Sequence, residues 1–286
     1  MEKNILKENI LVISHEAGSA EIISNFIKSK KKNYYFLLNG STKKIFKNNG
    51  IHTLNNYKKK IKYSQIFFGA SYNGSEYSCI KKNNLDSINK ICFIDHWVYY
   101  KKRLASFNLK KINFFYVFDK YAFLKLKKIV KNSVRINIYK NPSLVELKKN
   151  IIKVKKIKKK NIVIFLNNIN NKNQEKQIKH LSNEELVHNS LLYVNSHKKL
   201  KDKKIYVKLH PANKYNEYKN IIRKYKNLKI IKKKTFIDTM KHTYLAISND
   251  SMVLYFTYAL GIKNLNIIKK KTLIPIKYSN LIFKIK

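Results

Sequence analysis

Short apolar runs alternate along the whole chain with longer polar stretches that are rich in lysine. Apolar runs of about four to eight residues, separated by helix-length segments, are typical of βαβ units that build a parallel sheet. Strands are predicted at 9–14, 34–38, 65–69, 90–95, 114–118, 161–167, 204–210, 228–231, 244–249 and 265–268. Helices are predicted at 21–30, 80–89, 120–130, 184–199, 214–225 and 252–260. The pattern therefore predicts an α/β protein.

A lysine-dense segment, 147–160, separates the two strand-rich halves. A length of 286 residues also favours two domains over one. We predict an N-terminal Rossmann-like domain over 1–146, a lysine-rich linker over 147–160 and a C-terminal Rossmann-like domain over 161–286. The two domains are expected to face a central cleft.

The formal net charge is +46, from 62 basic and 16 acidic residues. Such a charge suggests nucleic-acid binding, or attraction to anionic lipid. However, the arginines are Arg103, Arg135 and Arg223 alone, whereas phosphate and base recognition favours the guanidinium group. The lysines accompany abundant Asn, Ile, Tyr and Phe, which share AT-rich codons, so genomic nucleotide drift is the preferred explanation of the charge. Nucleic-acid binding is kept as the alternative from another functional class.

The remaining bulk features favour a cytoplasmic protein. Cys79 and Cys92 are not in a metal-ligand spacing, and reduced thiols are the expected state. The N-terminus lacks the apolar core of a signal peptide, and the longest apolar stretch, roughly 251–262, is too short to span a bilayer. We expect a cytoplasmic location, with peripheral contact at the inner face of the membrane as an addition, and neither a metal nor a cofactor.

Ligands of doubly wound sheets bind where strands run into the following helices, so the strand ends are the places to search. The first predicted strand runs into Ser14–Glu21 (SHEAGSAE), where Gly18 allows a close backbone approach and Glu16 is conspicuous in a chain with few acids. The alternative is a solvated Glu16 beside a capping serine. The third strand runs into Gly69-Ala70-Ser71, for which a plain turn is the alternative.

The fourth strand runs into Asp95-His96-Trp97. An aspartate followed by histidine at a strand end can act as a base or bind a sugar hydroxyl, and the indole ring can stack on the apolar face of a sugar. The alternative is a core tryptophan with a capping aspartate.

Two motifs stand out in the second half. Lys208-Leu209-His210-Pro211 ends one strand, where alternation places Lys208 and His210 on the same face. Ser248-Asn249-Asp250-Ser251 ends another strand directly before an apolar helix, and hydroxyl groups at a helix N-terminus form a phosphate site. The alternative is a helix N-cap by Asp250 or Ser251. The sequence contains no Walker, GxGxxG, HExxH or GxSxG motif, which argues against the enzyme classes that depend on them.

These two motifs, with the helix 252–261 (MVLYFTYALG) behind the second, resemble the nucleotide-sugar half of GT-B glycosyltransferases, especially the bacterial HP-motif sialyltransferase and capsular polysaccharide transferase group. Two departures are clear: the acidic motif of the sialyltransferases is missing, and Phe256 stands near the position where many GT-B enzymes place a ribose-binding Glu. The resemblance implies a metal-independent glycosyltransferase that moves a sugar from a nucleotide-sugar donor to a glycan or lipid-linked glycan of a surface polysaccharide. A GT-B nucleotide-sugar epimerase or hydrolase and a glycerophosphate-type transferase are the alternatives.

The resemblance also distributes roles over the candidate residues. His210 would polarise or protonate the leaving phosphate, and the general base falls to Glu16 or Asp95. The residues expected to bind the donor and its phosphate are Lys208, His210, Pro211, Ser248, Asn249, Asp250 and Ser251. Those expected on the acceptor side are Ser14, His15, Gly18, Gly69, Ser71, His96 and Trp97.

Overall fold

The computed structural model describes residues 8–28, 30–52, 56–132, 134–152, 159–167, 181–210, 213, 215–225, 228–231 and 235–285. The chain divides into two compact units, Met1–Glu146 (unit 1) and Leu147–Lys286 (unit 2). Of the segment predicted as a linker, residues 147–152 continue a helix, 153–158 lie outside the described residues, and 159–160 lead into the next strand.

Unit 1 is built on a six-stranded parallel sheet with the strand order β2-β1-β3-β4-β5-β6. Its strands are β1 (Asn9–Ser14), β2 (Asn33–Leu38), β3 (Gln65–Gly69), β4 (Asn89–Phe93), β5 (Phe114–Val117) and β6 (Arg135–Ile138). Its helices are α1 (Ala17–Ile27), α2 (Thr42–Asn48), α3 (Ser75–Lys82), α4 (Tyr100–Arg103), α5 (Lys120–Val130) and α6 (Pro142–Ile152), the last of which crosses the boundary between the units. The strand order reverses between β1 and β3, which is where doubly wound sheets bind ligands.

Unit 2 has a second six-stranded parallel sheet, with the order β12-β11-β10-β7-β8-β9. Its strands are β7 (Asn161–Phe165), β8 (Ile205–Lys208), β9 (Leu228–Ile230), β10 (Thr243–Ser248), β11 (Lys263–Ile268) and β12 (Leu281–Lys284). The helices of this unit are α7 (Asn183–Ser196), α8 (Tyr215–Arg223), α9 (Phe236–His242) and α10 (Met252–Ala259). Here the order reverses between β7 and β10, so their carboxyl ends mark the corresponding binding position.

Each sheet is covered on both faces, which explains the almost continuous apolar strands. Val12, Phe67 and Phe93 of unit 1 pack against the buried face of α1, and Ile164 and Ile247 of unit 2 pack against α7. Burial on both faces favours Val, Ile and Phe at successive positions over a period-two alternation. The prediction of an α/β protein with two parallel-sheet, Rossmann-like domains is confirmed.

The differences from the sequence prediction lie in short or weakly patterned elements. The predicted helix 80–89 is instead Ser75–Lys82, because Gly74 (φ 70°) begins it and Asn84 (φ 56°) follows its end in the left-handed region. The edge strands β6 and β12 were not predicted, because each has only four residues and is largely exposed. The helices α2 and α9, each of seven residues, and the four-residue α4 were not predicted either. The eleven-residue α6 was also missed, and its second half was predicted as part of the linker.

Candidate functional site

The loops after β1 and β4 bring two carboxylates to one guanidinium group at the switch point of unit 1. Arg103 Nη1 lies 3.2 Å from Glu16 Oε2 and 3.6 Å from Asp95 Oδ1, and it also donates to the Ala70 carbonyl. Arg103 comes from the short helix α4, and its side chain is only 10% exposed. Glu16 and Asp95, both predicted as candidate bases, therefore belong to one ion cluster.

Burial and mutual repulsion shape the electrostatics of this cluster. Burial raises the pKa of Glu16; Arg103 opposes that rise and Asp95 adds to it. Burial lowers the pKa of Arg103, but Asp95 and Glu16 outweigh it, so that pKa is raised and the group stays cationic. The Glu16 side chain is 35% exposed against 12% for Asp95, so Glu16 is the more accessible carboxylate. A partly exposed carboxyl group with a raised pKa is suited to accept and return a proton.

A third carboxylate, Glu76, holds the loops after β1 and β3 in place. Its Oε1 accepts from the His15 backbone N–H at 3.0 Å and its Oε2 from that of Ser71 at 3.3 Å. Glu76 is fully buried, and burial raises its pKa against these hydrogen bonds. Because it joins the residue before Glu16 to the β3 loop, Glu76 fixes the backbone that carries Glu16.

Replacing Glu76 by Gln is expected to change how the stability of unit 1 depends on pH. Since burial raises the pKa of Glu76, the folded protein holds this proton more tightly than the unfolded chain does. The stabilisation that protonated Glu76 provides is complete below the pKa of this group in the unfolded chain. It is lost as the pH rises through the pKa of Glu76 in the folded protein. The free energy of unfolding of the wild type relative to Glu76→Gln should therefore fall from about pH 4 toward pH 7. Urea unfolding followed by the fluorescence of Trp97 measures this, and a difference that rises with pH would contradict it.

Two glycines permit the close packing of this edge. A Cβ atom at Gly18 would lie 1.8 Å from Asp95 Oδ2, and one at Gly69 would lie 2.2 Å from Ser19 Cβ. The sequence interpretation assigned both glycines to the acceptor side. In the structure they face Asp95 and Ser19, so they serve the packing of the cluster itself.

Several predicted acceptor-side side chains are committed to the scaffold. Ser14 Oγ lies 3.0 Å from Ser19 Oγ, and Ser71 Oγ accepts from the Ser75 N–H at 2.9 Å; both serines are buried. Trp97 is 1% exposed and donates from Nε1 to Asp119 Oδ2 at 3.0 Å. Trp97 therefore occupies a core position in this structure, and its stacking on a sugar stays a prediction.

The two predicted acceptor-side histidines are half-buried. The backbone N–H of His15 binds Glu76, and burial lowers the pKa of its ring. His96 Nδ1 accepts from the Trp97 backbone N–H at 3.0 Å, which fixes its orientation. Both lie beside the cluster in sequence, directly before Glu16 and directly after Asp95.

In unit 2, three residues of the motif after β10 bind the protein itself. Ser248 Oγ donates to the Phe165 carbonyl of β7 at 2.9 Å, and Asn249 Nδ2 donates to the Ile267 carbonyl at 2.7 Å. Asp250 (φ 42°) accepts from the hydroxyl of Thr272 at 2.7 Å. These buried side chains join β7, β10, β11 and the loop after β11, so they have a scaffold role, and their contact with a phosphate stays a prediction.

Ser251 is the N-cap of α10, and its hydroxyl accepts from the Val253 N–H at 3.4 Å. It is only partly buried. The N-cap alternative is thus the observed one, and Ser251 is the one side chain of the motif that is not buried.

Lys208 ends β8, and His210 follows two residues later. Burial lowers the pKa of His210 to about 4, so the imidazole is neutral at pH 7. A neutral ring favours hydrogen bonding to a leaving phosphate over protonating it. Pro211 lies outside the described residues.

Sequence reasoning missed Arg103 and Glu76 as site residues. Arg103 is one of three arginines among 62 basic residues, and Glu76 is one of 16 acids and lies in the first turn of α3, after the glycine-containing loop. Rarity in this composition was the signal available for both. Across the described ranges no group of three or more His, Cys, Asp and Glu residues is placed to hold a metal ion. None of the helices described is long and apolar enough to cross a membrane.

No protein-family model and no curated protein matches the chain. Among solved structures it is similar to the UDP-GlcNAc 2-epimerase of Methanocaldococcus jannaschii in complex with UDP-GlcNAc and UDP, with 11% identity and a TM-score of 0.67 over 96% of this chain and 89% of that one. It is also similar to a putative UDP-N-acetylglucosamine 2-epimerase of Listeria monocytogenes (9% identity, TM-score 0.62, 95% and 81% covered). The enzyme from Neisseria meningitidis bound to UDP-GlcNAc matches at 10% identity and a TM-score of 0.58, with 90% and 82% covered. Likeness at this identity establishes the fold, with two Rossmann-like domains of the GT-B kind, and nothing finer.

Proposed function

We propose that the protein is an enzyme that acts on a nucleotide sugar, with Glu16 as its acid–base group. The observation that carries this proposal is the cluster of Glu16, Asp95 and Arg103 at the switch point of unit 1. Buried charge of this kind is costly to maintain, and here the most accessible carboxylate is also one whose pKa is raised.

Unit 2 is proposed to bind the nucleotide and its phosphate. Support comes from the carboxyl ends of β7 and β10, where the strand order reverses. The N-terminus of α10 with Ser251 provides donors for an anion, Lys208 ends the neighbouring β8, and His210 follows that strand. Two of the structures that share this fold are described as complexes with UDP-GlcNAc.

The proposed reaction is transfer of the sugar to a hydroxyl group of a glycan or lipid-linked glycan. Glu16 accepts the proton of that hydroxyl, the new glycosidic bond forms, and the bond between the sugar and the phosphate breaks. The nucleotide leaves with the bonding electrons, and dipoles and cations near the phosphate stabilise its charge. No metal or cofactor takes part in this proposal, and the enzyme works in the cytoplasm or at the inner face of the membrane.

Epimerisation or hydrolysis of the nucleotide sugar is the second candidate. The observation favouring it is that two carboxylates, Glu16 and Asp95, share one arginine. Epimerisation at a carbon centre requires a proton to leave one face and return to the other, so one carboxylate would act as the base on one face and the other carboxyl group as the acid on the opposite face. Product analysis separates the reactions, because transfer extends an acceptor, hydrolysis frees the sugar, and epimerisation yields a new nucleotide sugar.

Calorimetric titration with UDP-, CMP- and CDP-linked sugars tests the nucleotide part of the proposal. Ser251→Ala is expected to weaken binding about tenfold, since a hydrogen bond to a charged group is worth about 1.5 kcal/mol. Thr235→Ala is the matched control, because Thr235 is the N-cap of α9 and its loss removes a cap of the same kind. Equal affinities in both variants would place the phosphate elsewhere, and no binding by any donor would contradict the proposed function.

A further inference from the structure

A pocket of about 590 Å³ lies at the opposite edge of the sheet in unit 1 from Glu16. It opens at the amino ends of β5 and β6, beside the carboxyl end of α5. Three cationic residues line it, Lys127, Lys131 and Arg135, and none of its ten lining residues is acidic. The pocket is therefore separate from the carboxylate cluster and opposite to it in charge.

The pocket also has an apolar wall. Phe123, Lys127 and Lys131 follow one another at intervals of four residues, so they share one face at the end of α5. Phe114 of β5 and the buried Ile112 before it complete the apolar lining. A ligand with one anionic end and one apolar end matches this division.

The three cations are not neutralised by the protein. Among the ion pairs between described residues, none involves Lys127, Lys131 or Arg135. Arg103, by contrast, is surrounded by carboxylates. Three cations at one pocket without a nearby acid create a positive potential that attracts an anion.

The backbone at Lys131 supplies an independent observation. Lys131 ends α5 with φ 52° and ψ −126°, in the left-handed half of backbone space, where a side chain costs about 1–3 kcal/mol. Glycine is the usual residue at such a helix end. The lysine that occupies this position lines the pocket, which is consistent with a use for its ammonium group.

We propose that this pocket binds a phosphate ester that carries an apolar group. Lys127, Lys131 and Arg135 contact the phosphate, for which ammonium and guanidinium groups are suitable donors. Phe114 and Phe123 cover the apolar substituent. A soluble phosphate ester and the head group of an anionic lipid share this chemistry, and the site does not depend on the proposed function of the Glu16 cluster.

Calorimetric titration of the full chain with phenyl phosphate and with inorganic phosphate tests the proposal. The triple variant Lys127→Gln, Lys131→Gln, Arg135→Gln is expected to bind phenyl phosphate about tenfold more weakly than the wild type. The matched control is Lys43→Gln, Lys44→Gln, Lys47→Gln on the exposed face of α2, which lowers the net charge by the same three units and should change affinity less than about twofold. Phe123→Ala should weaken the binding of phenyl phosphate more than the binding of inorganic phosphate.

Flotation with phosphatidylglycerol vesicles distinguishes a lipid head group from a soluble phosphate ester as the ligand. Phosphatidylcholine vesicles are the neutral reference. Vesicle binding that the pocket variant loses and the α2 control keeps supports the site and assigns it to lipid. Pocket-dependent binding of phenyl phosphate without pocket-dependent vesicle binding supports the site and assigns it to a soluble ester. Equal losses in the pocket and α2 variants, or no binding of phenyl phosphate by the wild type, would overturn the proposal.

Discussion

Replacing Glu16 by Gln is expected to lower kcat/KM for the nucleotide sugar by about 10³-fold, which is the usual scale of a lost general acid–base group. Gln has nearly the same shape and can still accept from the Tyr72 N–H, which lies 2.8 Å from Glu16 Oε1. It cannot take up a proton. The loss should therefore appear mainly in kcat, with the affinity for the nucleotide sugar kept within about threefold. Steady-state kinetics on the donor identified by calorimetry measures both.

The matched control is Glu8→Gln, which makes the same change at an exposed carboxylate that pairs with Lys32. Its activity should equal that of the wild type. The Glu16 variant should also be at least as stable as the wild type at pH 7, because desolvation, with repulsion from Asp95, disfavours the charge of Glu16 by more than Arg103 stabilises it. Activity of Glu16→Gln within about threefold of the wild type would remove Glu16 from the chemistry.

Replacing Arg103 by Met is expected to lower the free energy of unfolding of unit 1 by about 3–5 kcal/mol at pH 7. The change leaves Glu16, Asp95 and the Ala70 carbonyl without their shared donor. Trp97, the single tryptophan, is buried in unit 1, so its fluorescence during urea unfolding reports on this unit.

The loss in the free energy of unfolding caused by Arg103→Met should become smaller as the pH falls toward 4. Without the guanidinium group the pKa of Glu16 rises further, because Arg103 is the group that lowers it most, and protonation then removes the uncompensated charge. Arg135→Met, at an exposed position of β6 in the same unit, is the control and should cost less than about 0.5 kcal/mol. A loss of similar size at pH 4 and pH 7 would mean that Arg103 acts through packing alone.

The sequence was informative where a residue follows directly after an apolar strand. Glu16 and Asp95 were found in this way, because parallel strands bring their carboxyl ends to one edge. Arg103 was not found: it lies in a four-residue helix beside lysines, and no local pattern distinguishes a buried guanidinium group from a solvated one. Its position depends on contacts with Glu16, Asp95 and the Ala70 carbonyl, which only the folded chain brings together.

The sequence also could not predict the direction in which a polar side chain at a strand end points. Ser248 and Asp250 stand in a motif typical of phosphate binding, yet they turn inward to Phe165 and Thr272, 83 and 22 residues away in sequence. Trp97 likewise binds Asp119 in the core instead of facing a ligand. Such partners lie far along the chain, so a reading of local sequence cannot place them. The narrower resemblance to the HP-motif group stays a prediction.

A crystal structure of the protein with the nucleotide sugar that binds most tightly is the most direct test of the proposed function. We expect the phosphate groups at Ser251 and the N-terminus of α10, beside the carboxyl ends of β7 and β10. An ordered nucleotide sugar bound elsewhere, for example at Lys127, Lys131 and Arg135, would contradict the assignment of unit 2 as the nucleotide-binding unit.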